Sequence, residues 1–167
     1  EPLKLKKPSK IFVCSVSDFW GKGVSQAWRE EVYNIIKDCP QHTFQILTKQ
    51  PHNITTHDCL HCPEDVWLGV TVTSGTPLVK AKSWLIDFVN LKFLSCEPLL
   101  GEINLTTFTL MSIDWIILGA QTNPYKPPKI EWMLKILKLA RSWDIPIYMK
   151  SNLRKVWPDK LIQDLPE

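Results

Sequence analysis

The sequence has 167 residues, 44% hydrophobic and 22% charged, which is enough apolar material for one domain with a core and too much for a disordered chain. A formal net charge of +3 does not by itself argue for nucleic acid, and no apolar run reaches the roughly 18 residues of a membrane span. With no signal-peptide pattern and an odd number of cysteines, two of them (Cys14 and Cys96) inside apolar runs, the chain reads as cytoplasmic and without a disulfide framework.

The chain begins with Glu1 rather than methionine, which leaves open a fragment, a processed product or part of something longer. Lys4, Lys6, Lys7 and Lys10 then form a basic cluster, a solvated face in its plain reading and a nucleic-acid contact in its sharper one. Six short runs follow that are apolar on nearly every residue, at 11–16, 43–47, 66–72, 91–95, 114–118 and 145–149. Each has the length of a strand, and continuous apolarity marks strands covered on both faces.

Helical patterns lie between several of these runs. Trp28, Val32, Ile35, Ile36 and Cys39 recur at helical spacing opposite Glu30, Glu31 and Lys37. Leu78, Ala81, Leu85 and Phe88 form a second stripe behind Thr76 and Pro77, a cap with proline at the first helical position. Ile130, Met133, Leu134, Leu137 and Ala140 form a third. The links at 50–65 and 101–113 carry no clear helix, and Leu105 to Leu110 reads as a small extra strand.

Strand starts about 22 to 32 residues apart suit βα units with crossover helices. The expected fold is α/β, a partial TIM-like (βα) barrel of about six parallel strands with flanking helices, in one domain over residues 1–167. An open doubly wound sheet is the alternative. Only six glycines, with no GxGxxG or GxxxxGK, lean the reading toward the barrel.

In a parallel barrel the C-terminal strand ends share one rim, where active sites are built. The ends here supply Ser15, Ser17 and Asp18, then Lys49, Thr71, Glu97, Gln121 and Lys150. A single polar strand end only marks the chain surfacing into a loop. Asp18, Lys49, Glu97 and Lys150 together are different, because partly desolvated charges must pair or meet a ligand. Two carboxylates and two ammonium groups suit a small polar zwitterion, and Pro98 is expected to hold Glu97 extended.

Other chemistry is thinner. Cys59 and Cys62, with His52 and His57 nearby, have the spacing of two zinc ligands, short of the four that structural zinc needs. Incidental cysteines in a loop are the plainer reading, so no metal site is assigned. Core packing accounts for most of the eight tryptophans, while Trp20 follows a strand end and can line a pocket or stack on a flat ligand.

The blocks EPLKLKKPSKIFVCSVSDFW, PQHTFQILTKQP, VWLGVTV, KFLSCEPLLG and IDWIILGA span nearly the whole chain. In that order they resemble a phage- and prokaryote-associated family of unknown function that is itself similar to radical S-adenosylmethionine enzymes. The resemblance implies a partial barrel, a three-cysteine motif holding a [4Fe–4S] cluster, and S-adenosylmethionine bound across the strand ends. Asp18, Lys49, Glu97 and Lys150 lie in matching blocks.

Two departures matter. The three-cysteine motif belongs before the block at Glu1 and has no counterpart here, since Cys59 and Cys62 are misplaced and one cysteine short. As written, the chain is expected to lack an N-terminal strand and to hold no cofactor, with S-adenosylmethionine and the cluster belonging to a longer form. The turn Gly119-Ala120-Gln121-Thr122-Asn123-Pro124 also lacks a carboxylate that the resemblance calls for, and Ser151-Asn152 replaces a glutamine and an aromatic after Lys150. Three functions are therefore expected in turn: a radical-S-adenosylmethionine-like enzyme core of unknown substrate, a cluster-less barrel that binds a ligand or partner, and a nucleic-acid module. No membrane association is expected.

Overall fold

The computed structural model describes residues 2–75 and 88–166. The second helical stripe falls almost wholly on 76–87, outside the described residues; its last member, Phe88, is buried. Six parallel strands form the main sheet: β1 (Lys10–Val13), β2 (Thr43–Thr48), β3 (Val66–Thr71), β4 (Lys92–Cys96), β5 (Trp115–Leu118) and β8 (Ile147–Met149). β6 (Gln121–Thr122) and β7 (Tyr125–Lys126) make a separate antiparallel hairpin between β5 and β8.

The strand order is β1-β2-β3-β4-β5-β8. A doubly wound sheet reverses direction partway across, whereas here every strand is added beside the one before it. Right-handed crossovers repeated in one direction curl the sheet, and the result is a half-barrel flanked by helices. Those helices are α1 (Gln26–Lys37), α2 (Thr56–His61), α3 (Thr107–Leu110) and α4 (Ile130–Ser142).

The two faces of the sheet are built differently. On the outer face, Ile46, Leu68, Leu94, Ile116 and Met149 join Tyr33 and Ile36 of α1 and Met133 and Leu137 of α4 in one buried cluster. Phe93 and Trp115 are also buried but stand outside that cluster, on the alternate, concave face. The Phe93 ring lies flat on Gly69, where an added Cβ would come within 2.3 Å of it. Trp115 packs against Phe93, Trp67 and Tyr148 at 5.6, 5.9 and 6.1 Å between centroids. Each such aromatic pair adds about 0.5–1.5 kcal/mol beyond burial, so the lower half of the concave face is a plug. Above it the register aligns Thr71, Ser95, Ile117 and Tyr148 in one row. Two residues further along β4, β5 and β8, the same alternation places Glu97, Gly119 and Lys150.

The β8 edge is covered. Met149 N–H donates to Ile162 O at 2.7 Å and Asp164 N–H to Ile147 O at 2.9 Å, with an antiparallel bridge between Tyr148 and Gln163. Trp115 Nε1 donates to Asp164 O at 3.0 Å, tying this last segment to the aromatic plug.

Several expectations change. β1 stops at Val13 because Cys14 adopts a left-handed backbone, φ +57°, that turns the chain out of the sheet. In α1 the buried residues are Arg29, Tyr33 and Ile36, while Trp28 is 59% exposed. The helix is rotated relative to its apolar stripe because Asp58 draws the Arg29 guanidinium inward. Instead of an extra strand at 105–110 there is α3, nucleated by Thr106, whose hydroxyl accepts from Thr109 N–H. The link at 50–65 contains α2, opened by a reciprocal capping box between Thr55 and Asp58.

Candidate functional site

The rim separates into two groups. At one end, Asp18 Oδ1 accepts from the Thr48 hydroxyl at 2.7 Å and from Trp20 N–H at 3.0 Å, and Oδ2 accepts from Lys49 N–H at 2.8 Å. Asp18 therefore staples the loop after β1 to the end of β2. Asp18 meets Lys49 through the peptide rather than the ammonium. Ser15 and Ser17 are exposed in the turn after β1, with Ser17 N–H donating to Cys14 O at 3.1 Å.

At the other end, Lys150 Nζ lies 2.7 Å from Glu97 Oε2, with side chains 47% and 25% exposed. The pair joins the ends of β4 and β8 across β5. This is sterically allowed by Gly119, where a Cβ would fall 2.9 Å from the Glu97 carboxyl carbon. Ladder-like hydrogen bonds continue past the strands: Gly119 N–H to Cys96 O, Leu99 N–H to Gly119 O and Lys150 N–H to Leu118 O, at 2.9 to 3.1 Å. The Glu97–Pro98 peptide is cis. Thr71, one row below Glu97, has a buried hydroxyl with no hydrogen-bond partner among the described residues.

Gln121 is not brought to Glu97; its amide donates to Pro124 O at 3.0 Å within the β6–β7 hairpin. Asn152, noted in the sequence only as a departure after Lys150, fixes that hairpin instead. Its Oδ1 accepts from Ala120 N–H at 3.1 Å and its Nδ2 donates to Ala120 O at 2.9 Å. The Tyr125 hydroxyl donates to Asn152 O at 3.1 Å, and Lys155 Nζ stands 5.0 Å from the Tyr125 ring centroid. Gly119 and Asn152 had a readable signal, since both lie just beyond apolar strands.

Trp20 is 1% exposed and cannot stack on a flat ligand; it forms part of the wall of a cavity of about 540 Å³ beside Lys22 and His52. A depression of about 1070 Å³ opens at the opposite end of the sheet around Lys92, Asp114 and Pro146 and includes none of the rim residues.

No three His, Cys, Asp or Glu side chains among the described residues are grouped to hold a metal ion. His57 and His61 stack ring on ring at 3.8 Å instead of converging, and His57 Nε2 faces Glu30 Oε1 at 3.2 Å. Burial, chiefly, pushes the Cys62 thiol up to about 12. Nearby, Asp58 accepts from Arg29 Nε at 2.8 Å and from the Thr55 hydroxyl and N–H at 2.7 and 2.9 Å. Burial alone would raise the Asp58 pKa; the Thr55 and Arg29 donors outweigh it and hold the carboxyl below its usual range. That buried pair joins α1 to α2 and is structural.

No helix among the described residues is long and apolar enough to cross a membrane. No curated protein and no solved structure matches the chain. Residues 1–157 match the model of DUF5131, a family described as a protein of unknown function, and the chain belongs to that family.

Proposed function

We propose that the Glu97–Lys150 rim binds the amino-acid head of a small zwitterion of the S-adenosylmethionine type, and that the chain is the barrel core of a radical-S-adenosylmethionine-like enzyme. The observation that carries this reading is the half-exposed ion pair bridging two strand ends over Gly119. A surface pair of this kind contributes about 0–1 kcal/mol, so parting it to place a ligand ammonium on Glu97 and a ligand carboxylate on Lys150 costs the fold little.

The residues present do not fit an iron–sulfur cluster, since no three metal-binding side chains are grouped among those described. No step through such a cluster is derived for this chain. Bound at the rim, S-adenosylmethionine would supply a reactive sulfonium. What the chain contributes is binding and orientation: Glu97 and Lys150 grip the head group, and Asp18 fixes the loops on the opposite side of the rim.

A second reading, a cluster-less barrel that binds a ligand or partner, is favoured by the turn after β5, which lacks a carboxylate and whose Gln121 closes on its own hairpin. Calorimetric titration with S-adenosylmethionine tests the site. Saturable binding should weaken at least about tenfold in Glu97→Gln and in Lys150→Met, on the worth of one charged hydrogen bond. Anaerobic iron and sulfide reconstitution of the natural polypeptide separates the two readings. Iron uptake with ligand binding supports the first, ligand binding alone the second, and an absence of both retires the enzyme reading.

A further inference from the structure

The rim carries charge that the Glu97 site does not use. Residues 121–126 and 150–155, joined by the paired hydrogen bonds of Asn152 to Ala120, contain Lys126, Lys150, Arg154 and Lys155 and no acidic residue. With Glu97 set against Lys150, the patch holds a surplus of three positive charges. Lys126, Arg154 and Lys155 are exposed and form no ion pair among the described residues.

An aromatic ring is held among these cations. Tyr125 is 38% exposed, its hydroxyl is bonded to Asn152 O, and the Lys155 ammonium lies over its ring. A ring fixed at both ends binds with little further loss of freedom. Exposed cations beside a tethered, partly exposed ring are elements that hold phosphates and an unstacked base.

We propose that this platform binds a single strand of nucleic acid, with phosphates on Lys126, Arg154 and Lys155 and a base against Tyr125, beside the Glu97–Lys150 site. An acidic peptide has no flat face for the ring. The bases of a duplex are already stacked and gain nothing from it. A lipid surface calls for exposed large aliphatic side chains, and the neighbours here are Thr122, Asn123, Pro124 and Ser151. The strand binding stands on the patch alone; that the strand is the substrate class of the rim rests on the reading of Glu97 and Lys150 above.

The test is fluorescence anisotropy of a fluorescein-labelled thymidine 12-mer with the 167-residue chain across a salt series. Three phosphate contacts should give a slope of log K against log salt of about −2, at roughly −0.7 per contact on a single strand. The double variant Arg154→Ala, Lys155→Ala should reduce that slope to roughly −0.7. Tyr125→Ala should weaken binding about tenfold with less change in slope, and Tyr125→Phe, which keeps the ring, should retain most of it. Replacing Lys4, Lys6 and Lys7 with alanine should change nothing. The proposal falls if there is no binding at about 50 mM salt, if polyglutamate competes as well as the oligonucleotide, or if the N-terminal variant rather than Arg154 and Lys155 removes the binding. Failure here with S-adenosylmethionine binding intact removes the platform and leaves the rim site. Loss of S-adenosylmethionine binding with the oligonucleotide still bound removes only the assignment of the strand as substrate.

Discussion

Asp18 and Glu97 occupy equivalent places after parallel strands, yet their surroundings give them different work. Asp18 accepts three hydrogen bonds, one from its own loop and two from the end of β2, and two of the donors are peptide N–H groups. Glu97 has one charged partner, at the end of a long exposed side chain. A carboxylate held by three donors of the fold keeps the loops in place, and one that shares a single half-exposed ammonium is available to a ligand. Asp58 marks the far end of the same scale, fully buried and saturated by Arg29, Thr55 and Tyr33.

Removing each carboxylate should reproduce that order. Asp58→Ala leaves the Arg29 guanidinium buried without its counter-charge and should cost about 3–5 kcal/mol in urea unfolding. The same group sets a pH dependence. Its folded pKa is depressed, so its stabilisation is complete above the ordinary aspartate value of about 4 and is lost as pH falls through the lower folded value. The difference in melting temperature between the natural chain and Asp58→Asn should therefore hold from about pH 7 to about pH 5 and shrink as pH falls below about 4 in thermal unfolding. A difference that widens with acid would show that Asp58 is not held ionised.

Asp18→Ala should cost about 2 kcal/mol, with S-adenosylmethionine affinity changed less than that of Glu97→Gln. Gly119→Ala places a methyl 2.9 Å from the Glu97 carboxyl and should displace it, at about 1 kcal/mol in stability and a larger loss in ligand binding. Glu97→Gln should alter stability by less than about 1 kcal/mol, because a half-exposed ion pair holds little. Were Glu97→Gln to unfold the chain as readily as Asp18→Ala, the distinction between staple and ligand group would be gone.

The strands were legible because burial on both faces leaves apolar residues at nearly every position, and the observed β2, β3, β4, β5 and β8 fall on those runs. Helix facing was harder, since a hydrophobic stripe takes no account of Arg29 being pulled inward by an aspartate 29 residues away. At 105–110, threonines that favour strands also cap helices, and the capping hydroxyl of Thr106 prevailed. Glu97 and Lys150 could be placed at the rim from the sequence. Their pairing could not, because it depends on β5 lying between them and on Gly119 having no side chain. A peptide N–H partner, as Asp18 has at Lys49, leaves no mark on residue identity.

The strap at Ile162–Asp164 makes the sheet directional. With β8 capped by it and β1 paired only to β2, a further strand from any source can add at one flank alone. An uncapped flank is where unwanted polymerisation of sheets begins, and ammonium groups along it are a common deterrent. Lys10 lies in β1 itself, and Lys4, Lys6 and Lys7 are exposed just ahead of it. The basic cluster thus stands along the flank of the half-barrel that the strap leaves uncovered, where its charge disfavours the addition of a further strand.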